Sequence, residues 1–298
     1  MNFLSLLAFT RIPGNAFAFW IRKTLKWSRG TPKLFNEDKS DLFDYLKNPA
    51  LNTTTQKKAN RLKNQFHLES LFNLSTKALY RKNLYLLETL ENALRDLDLT
   101  SNGQRSESQL FSSASKSIKA LDIGSQDWHY VFGLERWLRY HGTETDAARE
   151  IHLTGVELDG HGIYSDFHSR KDYALAYACQ SENKNTRYLV ENFLNHQGTD
   201  YNVITLFYPF VTRYHLLLWG LPIHLFSPDR LISKAATITK KNGVFVVYCH
   251  TEKEHKLFLG ITKKNGAFTL LREGPVQSVL VDFYEAVEDR RFSIWRKK

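Results

Sequence analysis

The sequence predicts an α/β fold, a doubly wound and mostly parallel seven-stranded sheet preceded by a helical extension. Apolar, strand-like runs alternate with helical stretches after residue 118, a pattern typical of parallel sheets covered by helices on both faces. A polar, Ser-rich stretch occupies residues 98–117, and leucines recur at helical spacing before it. We therefore predict a helical extension over residues 1–97, a linker over 98–117 and the sheet domain over 118–298.

The extension is expected to be helical throughout. A break at Pro13-Gly14 separates two predicted helices within residues 1–30. Further helices are predicted over residues 41–47, from about residue 54 to residue 74, and over residues 76–97. The last of these has the clearest apolar stripe, which we interpret as core: Leu79, Leu84, Leu87, Leu90, Leu94 and Leu97.

The sheet domain opens with the predicted strand Ile118–Ile123, the helix Tyr130–Tyr140 and a second strand, Ile151–Val156. Later apolar runs, separated by turn signals and helical stretches, predict five more strands. They lie at Arg187–Val190, Asn202–Phe207, residues 243–249, residues 267–271 and Arg291–Trp295.

Two short motifs lie at the ends of the first two predicted strands. The first strand runs into LDIGS (residues 121–125), where Gly124 permits a sharp turn and a close approach of the backbone to a ligand. The second strand runs into GVELD (residues 155–159) and reaches an acid at Glu157. Strand, glycine turn, helix, strand and acid form the pattern of a βαβ nucleotide-binding unit, in which the acid accepts hydrogen bonds from ribose hydroxyls.

These motifs resemble motif I and the following acidic position of class I S-adenosylmethionine (SAM) dependent methyltransferases. The resemblance covers about residues 116–298. It implies a Rossmann-like sheet that ends in an antiparallel hairpin. It also implies SAM as cofactor and transfer of its methyl group to an acceptor that the sequence does not identify.

The resemblance also implies which residues bind SAM. Gly124 and Ser125 stand at the turn that passes under the methionine part, and Asp122 precedes that turn. Glu157 is the residue expected to bind ribose, with Asp159 as the alternative.

Further site residues follow later predicted strands. Asn192 and Phe193 stand where the family contacts adenine, and Tyr208 stands at the position that borders both SAM and the acceptor. Trp128, in the glycine turn, is expected to pack over the cofactor or to fill its site. No catalytic residue is assigned, although a general base at His129 remains an open alternative.

Departures from the family pattern keep other functions open. The turn in which the family usually has further small residues contains Gln126, Asp127 and Trp128. This motivates an alternative, a catalytically inactive methyltransferase-fold binding module, for which we expect a cleft filled by side chains. A dehydrogenase that binds a dinucleotide is less favoured, because the third glycine of G-x-G-x-x-G is absent.

The basic charge of the chain is concentrated in the extension. The net charge is +10, and residues 1–119 hold 19 Lys and Arg against 10 Asp and Glu, whereas residues 120–298 hold 22 against 21. Such a surface suits an anionic acceptor, such as RNA, a nucleotide or a lipid headgroup, or it is simply a solvated helical face. No apolar run near the N-terminus reaches the roughly 20 residues that span a bilayer. Peripheral membrane contact through the aromatic and basic residues 16–23 remains an alternative.

The cysteines and histidines bear on compartment and on metal binding. Cys179 and Cys249 are expected to be buried free thiols, which favours a reducing, cytoplasmic location. The 11 histidines contain no HxxxH pair, and no CxxC pair is present. We therefore expect no metal site.

Overall fold

The structure, a computed structural model, describes residues 12–44, 49–94, 116–142, 148–280 and 289–298. Within these residues the strands in chain order are β1 (Ser117–Ile123), β2 (Glu150–Glu157), β3 (Thr186–Val190), β4 (Tyr201–Phe207), β5 (Thr239–Cys249), β6 (Phe268–Pro275) and β7 (Arg291–Lys297). They form one sheet in the order β3-β2-β1-β4-β5-β7-β6. Strands β1 to β5 pair in parallel, whereas β7 is antiparallel to both β5 and β6. The predicted fold class is therefore confirmed.

Helices connect most of the strands and precede the sheet. They are α1 (Ile12–Leu25), α2 (Pro49–Gln65), α3 (Glu69–Leu74), α4 (Lys77–Leu94), α5 (Val131–Tyr140), α6 (Arg170–Gln180), α7 (Arg213–Leu218), α8 (Pro228–Ile238) and α9 (Glu252–Asn265). Short 3₁₀ helices lie at Phe193–Asn195 and Ile223–Leu225.

Strand β1 shows why helices cover both faces of the sheet. Ile118 and Ala120 belong to one buried apolar cluster, which includes residues of α4, α5 and α6. Leu121 and Ile123 belong to a second cluster, which includes residues of α8 and α9. Because side chains alternate between the faces of a strand, a strand that is apolar at these positions needs a cover on each side.

The leucine stripe of α4 is part of the first cluster, as predicted. Its five leucines within the described residues are at most 7% exposed, and α4 packs on α5. They are Leu79, Leu84, Leu87, Leu90 and Leu94. The sixth predicted leucine and residues 98–115 of the predicted linker lie outside the described residues.

Several predicted boundaries in the extension are wrong. Helix α1 begins at Ile12 and continues through Pro13 and Gly14, because proline fits the first turn of a helix, where its missing N–H has no intrahelical partner. The single helix predicted over residues 54–74 is two helices, α2 and α3, and His67 between them has a φ of +51°. Of the helix predicted over residues 41–47, residues 41–44 form a turn, and residues 45–48 lie outside the described residues.

Both cysteines are free thiols, but only one of them is buried. Cys249 on β5 is 1% exposed, whereas Cys179 on α6 is exposed. Ala174 and Ala178 are spaced four residues apart and carry the packing face of α6, so Cys179, the next residue, points away from it. The expectation of a buried thiol is therefore wrong for Cys179.

The direction of strand order reverses beside β1. The chain passes from β1 to β2 and β3 on one side, and then to β4 and β5 on the other side. Ligands of open α/β sheets bind in the crevice outside the carboxyl ends of the strands at such a switch point. In this protein Gly124 follows β1 and Tyr208 follows β4 at that place.

Candidate functional site

A cleft lies at the carboxyl ends of β1 to β4. Its empty volume is about 930 Å³, including space that is open to solvent. Residues that follow four different strands line it, together with apolar side chains of the segment 208–231. Five residues predicted for the site are on its wall: Gly124, Glu157, Asn192, Phe193 and Tyr208.

Gly124 forms the floor of the cleft with its backbone. Its φ of +72° lies in the left-handed region, and its N–H donates to the carbonyl oxygen of Val156 at 2.8 Å. A Cβ at this position would have no heavy atom within 4 Å, so the space above the turn is open to a ligand. The adjacent Ser125 is fully buried, and its hydroxyl has no hydrogen-bond partner among the described residues.

Glu157 holds the turn and also reaches the cleft. One carboxylate oxygen accepts from the backbone N–H of Gln126 at 2.9 Å, and the other accepts from that of Asp159 at 2.8 Å. A carboxylate offers about four acceptor positions, so these two bonds leave room for ligand hydroxyls. Burial raises the pKa of Glu157, and the backbone donors and Arg170 offset this only in part. An ionised Glu157 therefore gains from additional donors in the cleft.

Asp159, the alternative ribose ligand, is engaged elsewhere. Its two oxygens pair with Arg22 at 2.8 Å and with Arg170 at 3.2 Å. It is 4% exposed and does not line the cleft. The structure therefore brings Glu157, and not Asp159, to the predicted site.

Asn192 and Phe193 lie beyond β3, where the family resemblance places the adenine. The side-chain oxygen of Asn192 accepts from the N–H of Leu194 at 3.0 Å and caps the short 3₁₀ helix. Phe193 is 6% exposed and packs with the core beneath the cleft. Neighbouring Glu191 also lines the cleft, and its carboxylate pairs with His196 at 2.6 Å.

Asp122 and Trp128 form a buried network behind the turn. The Trp128 indole N–H donates to Asp122 at 2.8 Å, and Thr205 and Tyr130 donate to the same carboxylate at 2.5 and 2.9 Å. Burial raises the pKa of Asp122 to about 7, against these three hydrogen bonds. Both Asp122 and Trp128 are 0% exposed. Neither residue reaches the cleft, so the structure does not bring them to the predicted cofactor and substrate positions.

A glycine in β2 makes room for Trp128. A Cβ on Gly155 would lie 2.8 Å from the Trp128 ring, so the indole occupies the space that a side chain at this position would need. Trp128 itself has a φ of +57°, and its side chain belongs to the first buried cluster. The indole therefore leaves the cleft open instead of filling it.

The outer wall of the cleft was not predicted from the sequence. The segment after β4 folds back over the strand ends and contributes Phe210, Leu216, Trp219 and Leu225. It contains α7, whose start is capped by the Thr212 hydroxyl. Thr212 is a typical helix N-cap residue and could have indicated the start of α7. A six-residue helix, however, is too short to show a periodic pattern.

A second cavity adjoins the cleft on the side of α4. Its empty volume is about 560 Å³, including space that is open to solvent. It shares four residues with the cleft: Gly124, Gln126, Phe207 and Tyr208. The remaining wall consists of Lys82, Tyr85 and Leu86 from α4 together with His129, Tyr130 and Tyr248. The two spaces therefore meet at the glycine turn and at the residues that follow β4.

Tyr208 stands where the two spaces meet. Its φ is +60°, its N–H donates to the Tyr248 carbonyl at 2.7 Å, and its ring stacks on His250 with centroids 4.0 Å apart. These contacts fix a side chain that was predicted to border both SAM and the acceptor. Among the described residues no group of three or more His, Cys, Asp or Glu side chains is arranged to hold a metal ion.

Comparisons with solved structures return methyltransferases at low similarity. A TehB-like SAM-dependent methyltransferase from Corynebacterium glutamicum is 14% identical with a TM-score of 0.39, over 71% of this chain and 98% of that chain. N-methyltransferase NodS from Bradyrhizobium japonicum is 10% identical with a TM-score of 0.42, over 73% and 96%. TrmN from Thermus thermophilus is 14% identical with a TM-score of 0.40, over 61% of this chain and only 44% of that one. No protein-family model and no curated protein sequence matches the chain.

The architecture itself decides the fold. The family resemblance predicts a Rossmann-like sheet that ends in an antiparallel hairpin. The structure has five parallel strands and an antiparallel hairpin at one edge of the sheet. It also has a cleft at the switch point. This chain has the class I methyltransferase fold.

Proposed function

We propose that this protein is a SAM-dependent methyltransferase. The observation that carries the proposal is the position of Glu157, a buried carboxylate on the wall of an open cleft, beside the partly exposed backbone of Gly124. A carboxylate of this kind suits the vicinal hydroxyls of a ribose. The open turn suits a ligand that approaches the backbone closely.

The lining of the cleft fits the chemical parts of SAM. Glu157 would hold the ribose, Asn192 and Phe193 would contact the adenine, and Gly124 would support the methionine part. When bound, SAM supplies an activated methyl group on a sulfonium. The chain's own contribution is then to align the acceptor and to exclude water, and alignment alone provides much of the rate in such reactions.

The second cavity is the proposed acceptor site. It meets the cleft at Tyr208, and α4 of the predicted extension (residues 1–97) forms its far wall. An acceptor held there would face the cofactor across Gly124. The basic extension and Lys82 in the wall suit an anionic acceptor, and RNA, a nucleotide or a lipid headgroup each satisfies that requirement.

The open cleft counts against the alternative of a non-catalytic binding module. That alternative expects side chains to fill the space beside Gly124, with Trp128 as the main candidate. Trp128 lies instead in the core against Gly155. The two free thiols also support a reducing compartment, and we propose the cytoplasm.

Calorimetric titration with SAM tests the cofactor proposal. We expect binding to the wild type, and a loss of about 1–3 kcal/mol in Glu157→Ala because ligand hydroxyls lose their acceptor. Glu150→Ala is the matched control, since Glu150 is an exposed acid at the opposite end of β2. A folded wild-type protein that releases no heat with SAM would favour the binding module.

Peripheral membrane contact is a separate proposal about α1. Phe17 and Trp20 are 64% and 60% exposed, their rings stack at 6.2 Å, and Lys23 lies beside them on the surface. Exposed aromatic rings with basic neighbours suit an anionic interface. None of the described helices has the length and apolar character needed to cross a membrane.

Vesicle sedimentation tests the membrane proposal. We expect the protein to sediment with phosphatidylserine-containing vesicles and less with pure phosphatidylcholine, and we expect Trp20→Ala to weaken the association. Equal sedimentation with and without anionic lipid would reject it.

A further inference from the structure

His129, on the wall of the second cavity, belongs to a His–Asp pair that the proposed function does not use. The Nδ1 atom of His129 lies 2.7 Å from the Asp127 carboxylate. The hydroxyl of Tyr164 donates to the other oxygen of Asp127 at 2.8 Å. His129 lines the cavity beside Gly124 and Gln126, and its side chain is 23% exposed.

Asp127 is ionised in this arrangement. Burial acts to raise the pKa of Asp127, but His129, the Tyr164 hydroxyl and nearby Lys82 outweigh burial and hold it well below its usual range. An ionised carboxylate only accepts hydrogen bonds. The Nδ1 atom of His129 must therefore carry the proton that is donated to Asp127. In the neutral imidazole this leaves the Nε2 atom as an acceptor.

The Nε2 atom of His129 has no hydrogen-bond partner among the described residues. Two of the tyrosine hydroxyls on the cavity wall have partners within the protein. Tyr130 donates to Asp122 at 2.9 Å, and the Tyr85 hydroxyl accepts from Arg290 at 3.1 Å. His129 thus presents an unpartnered imidazole nitrogen to a bound molecule, and imidazole is the most common general base in proteins.

The rest of the wall indicates what kind of molecule fits. Five aromatic side chains surround the space, and the ammonium group of Lys82 is the cationic group on its wall. Aromatic walls favour a planar ring through offset or edge-to-face packing, and Lys82 favours an anionic substituent. The aromatic residues are Tyr85, Tyr130, Phe207, Tyr208 and Tyr248.

We propose that His129 is the general base of this site, oriented by Asp127, and that the acceptor is a small phenol with an acidic substituent. This inference rests on the proposed methyltransferase function. It selects a small aromatic acceptor over RNA or a lipid headgroup, because the five aromatic side chains on the wall favour a planar ring.

The reaction balances with His129 as the proton acceptor. The phenol O–H proton moves to the Nε2 atom of His129. The phenolate oxygen forms a bond to the methyl carbon, and the electron pair of the breaking carbon–sulfur bond remains on sulfur. The positive charge thus passes from the sulfonium to the imidazolium, which Asp127 stabilises. A positioned base of this kind contributes roughly 10²–10⁴-fold.

A chromogenic probe tests the base without any methyl transfer. We choose 4-hydroxy-3-nitrobenzoate, a phenol with a carboxylate and a nitro group, whose colour reports ionisation of the phenol. In the wild type we expect the bound phenol to ionise at a pH about 1–3 units lower than in solution, because the phenolate pairs with cationic His129. His129→Gln should lose most of that shift, and Lys82→Met should weaken binding.

His152→Gln is the matched control. His152 also pairs with a carboxylate, Glu150 at 3.1 Å, but it is exposed on β2 and lies outside both cavities. It should leave both the colour shift and the affinity unchanged. Three results would overturn the proposal: no binding of the probe to folded protein, binding without a lowered ionisation, or a full shift in His129→Gln.

Imidazole nitrogen NMR provides an independent measurement on the protein alone. We expect His129 to carry its proton on Nδ1 in the wild type and to gain the Nε2–H form in Asp127→Asn, because an amide can donate to Nδ1. A wild-type His129 protonated on Nε2 would contradict the assigned role. SAM calorimetry on the same samples separates the two proposals, since the probe and the tautomer can behave as expected even if SAM does not bind.

Discussion

The Arg22 guanidinium and the Asp159 carboxylate form an ion pair, with 2.8 Å between Nε and Oδ1, across 137 positions of sequence. Arg22 also donates to the carbonyl oxygen of Gly220 at 3.3 Å. Asn15, about two turns earlier on the same face of the helix, donates to the carbonyl oxygen of Leu217 at 2.8 Å. Helix α1 is thereby tied both to the end of β2 and to the segment that forms the outer wall of the cleft.

Removing the Arg22 charge should destabilise this connection. In Arg22→Met, the 4% exposed Asp159 keeps Arg170 as its one ionic partner within the described part of the chain. We expect the free energy of unfolding to fall by about 1–3 kcal/mol, because a buried charge loses a hydrogen-bonded partner. Urea denaturation measures this. Lys23→Met is the control, because it removes an exposed charge from the neighbouring position on the same helix. An equal loss of stability in both variants would show that the Arg22–Asp159 pair is not the cause.

Phe19 and Phe17 form a natural pair for comparison on α1. Phe19 is 8% exposed and packs against Leu216, Leu217 and Leu221, whereas Phe17 is 64% exposed. Phe19→Ala should cost about 3 kcal/mol, since it leaves a cavity in this small cluster. It should also weaken SAM binding, because Leu216 and Leu221 line the cleft.

Phe17→Ala should change the free energy of unfolding by no more than about 0.5 kcal/mol, as is usual for an exposed side chain. Thermal denaturation and calorimetry of the two variants provide the comparison. If Phe19→Ala lowered stability without any effect on SAM affinity, the proposed link between α1 and the cleft would be wrong.

Gly155 is required by the position of Trp128. In Gly155→Ala the new methyl group would lie 2.8 Å from the indole ring, so we expect a loss of about 1–3 kcal/mol from overpacking. Gly260→Ala is the control, because Gly260 is helical and a Cβ there would meet nothing within 4 Å. It should gain about 0.5–1 kcal/mol through helix propensity. Chemical denaturation of both variants tests the packing assigned to Trp128.

Asp122 should make stability depend on pH with a defined sign. Its folded pKa is about 7, above the 3.8 that is usual for a solvated aspartate. Between these values the folded state binds the additional proton, so this carboxyl contributes stability at low pH that is lost as the pH rises towards 7.

Asp122→Asn removes this titration and retains polar partners for Trp128 and Thr205. The stability of the variant relative to wild type should therefore rise between about pH 4 and pH 7, by roughly 2–4 kcal/mol. Unfolding curves at a series of pH values provide the measurement. A difference between the two proteins that stays constant across this range would show that Asp122 does not titrate there.

The sequence alone determined the fold class and the part of the cleft wall that lies at the strand ends. The strands had continuous apolar runs, and the turns after β1 and β2 carried Gly124 and Glu157 in a recognisable order. These signals are local, because they depend on backbone conformation and on the alternation of side chains along a strand. The same local information located Asn192, Phe193 and Tyr208 at strand ends.

The tertiary structure decided everything that depends on distant contacts. Trp128 fits in the core because Gly155, on β2, leaves space for its ring. Asp159 was removed from the site by Arg22 of α1. Distant contacts also formed the outer wall of the cleft, from Phe210 to Leu225. They likewise placed His129, with its partner Asp127, on a cavity wall to which α4 contributes. Burial and ion pairing depend on residues far apart in sequence, and no local pattern encodes which of them meet.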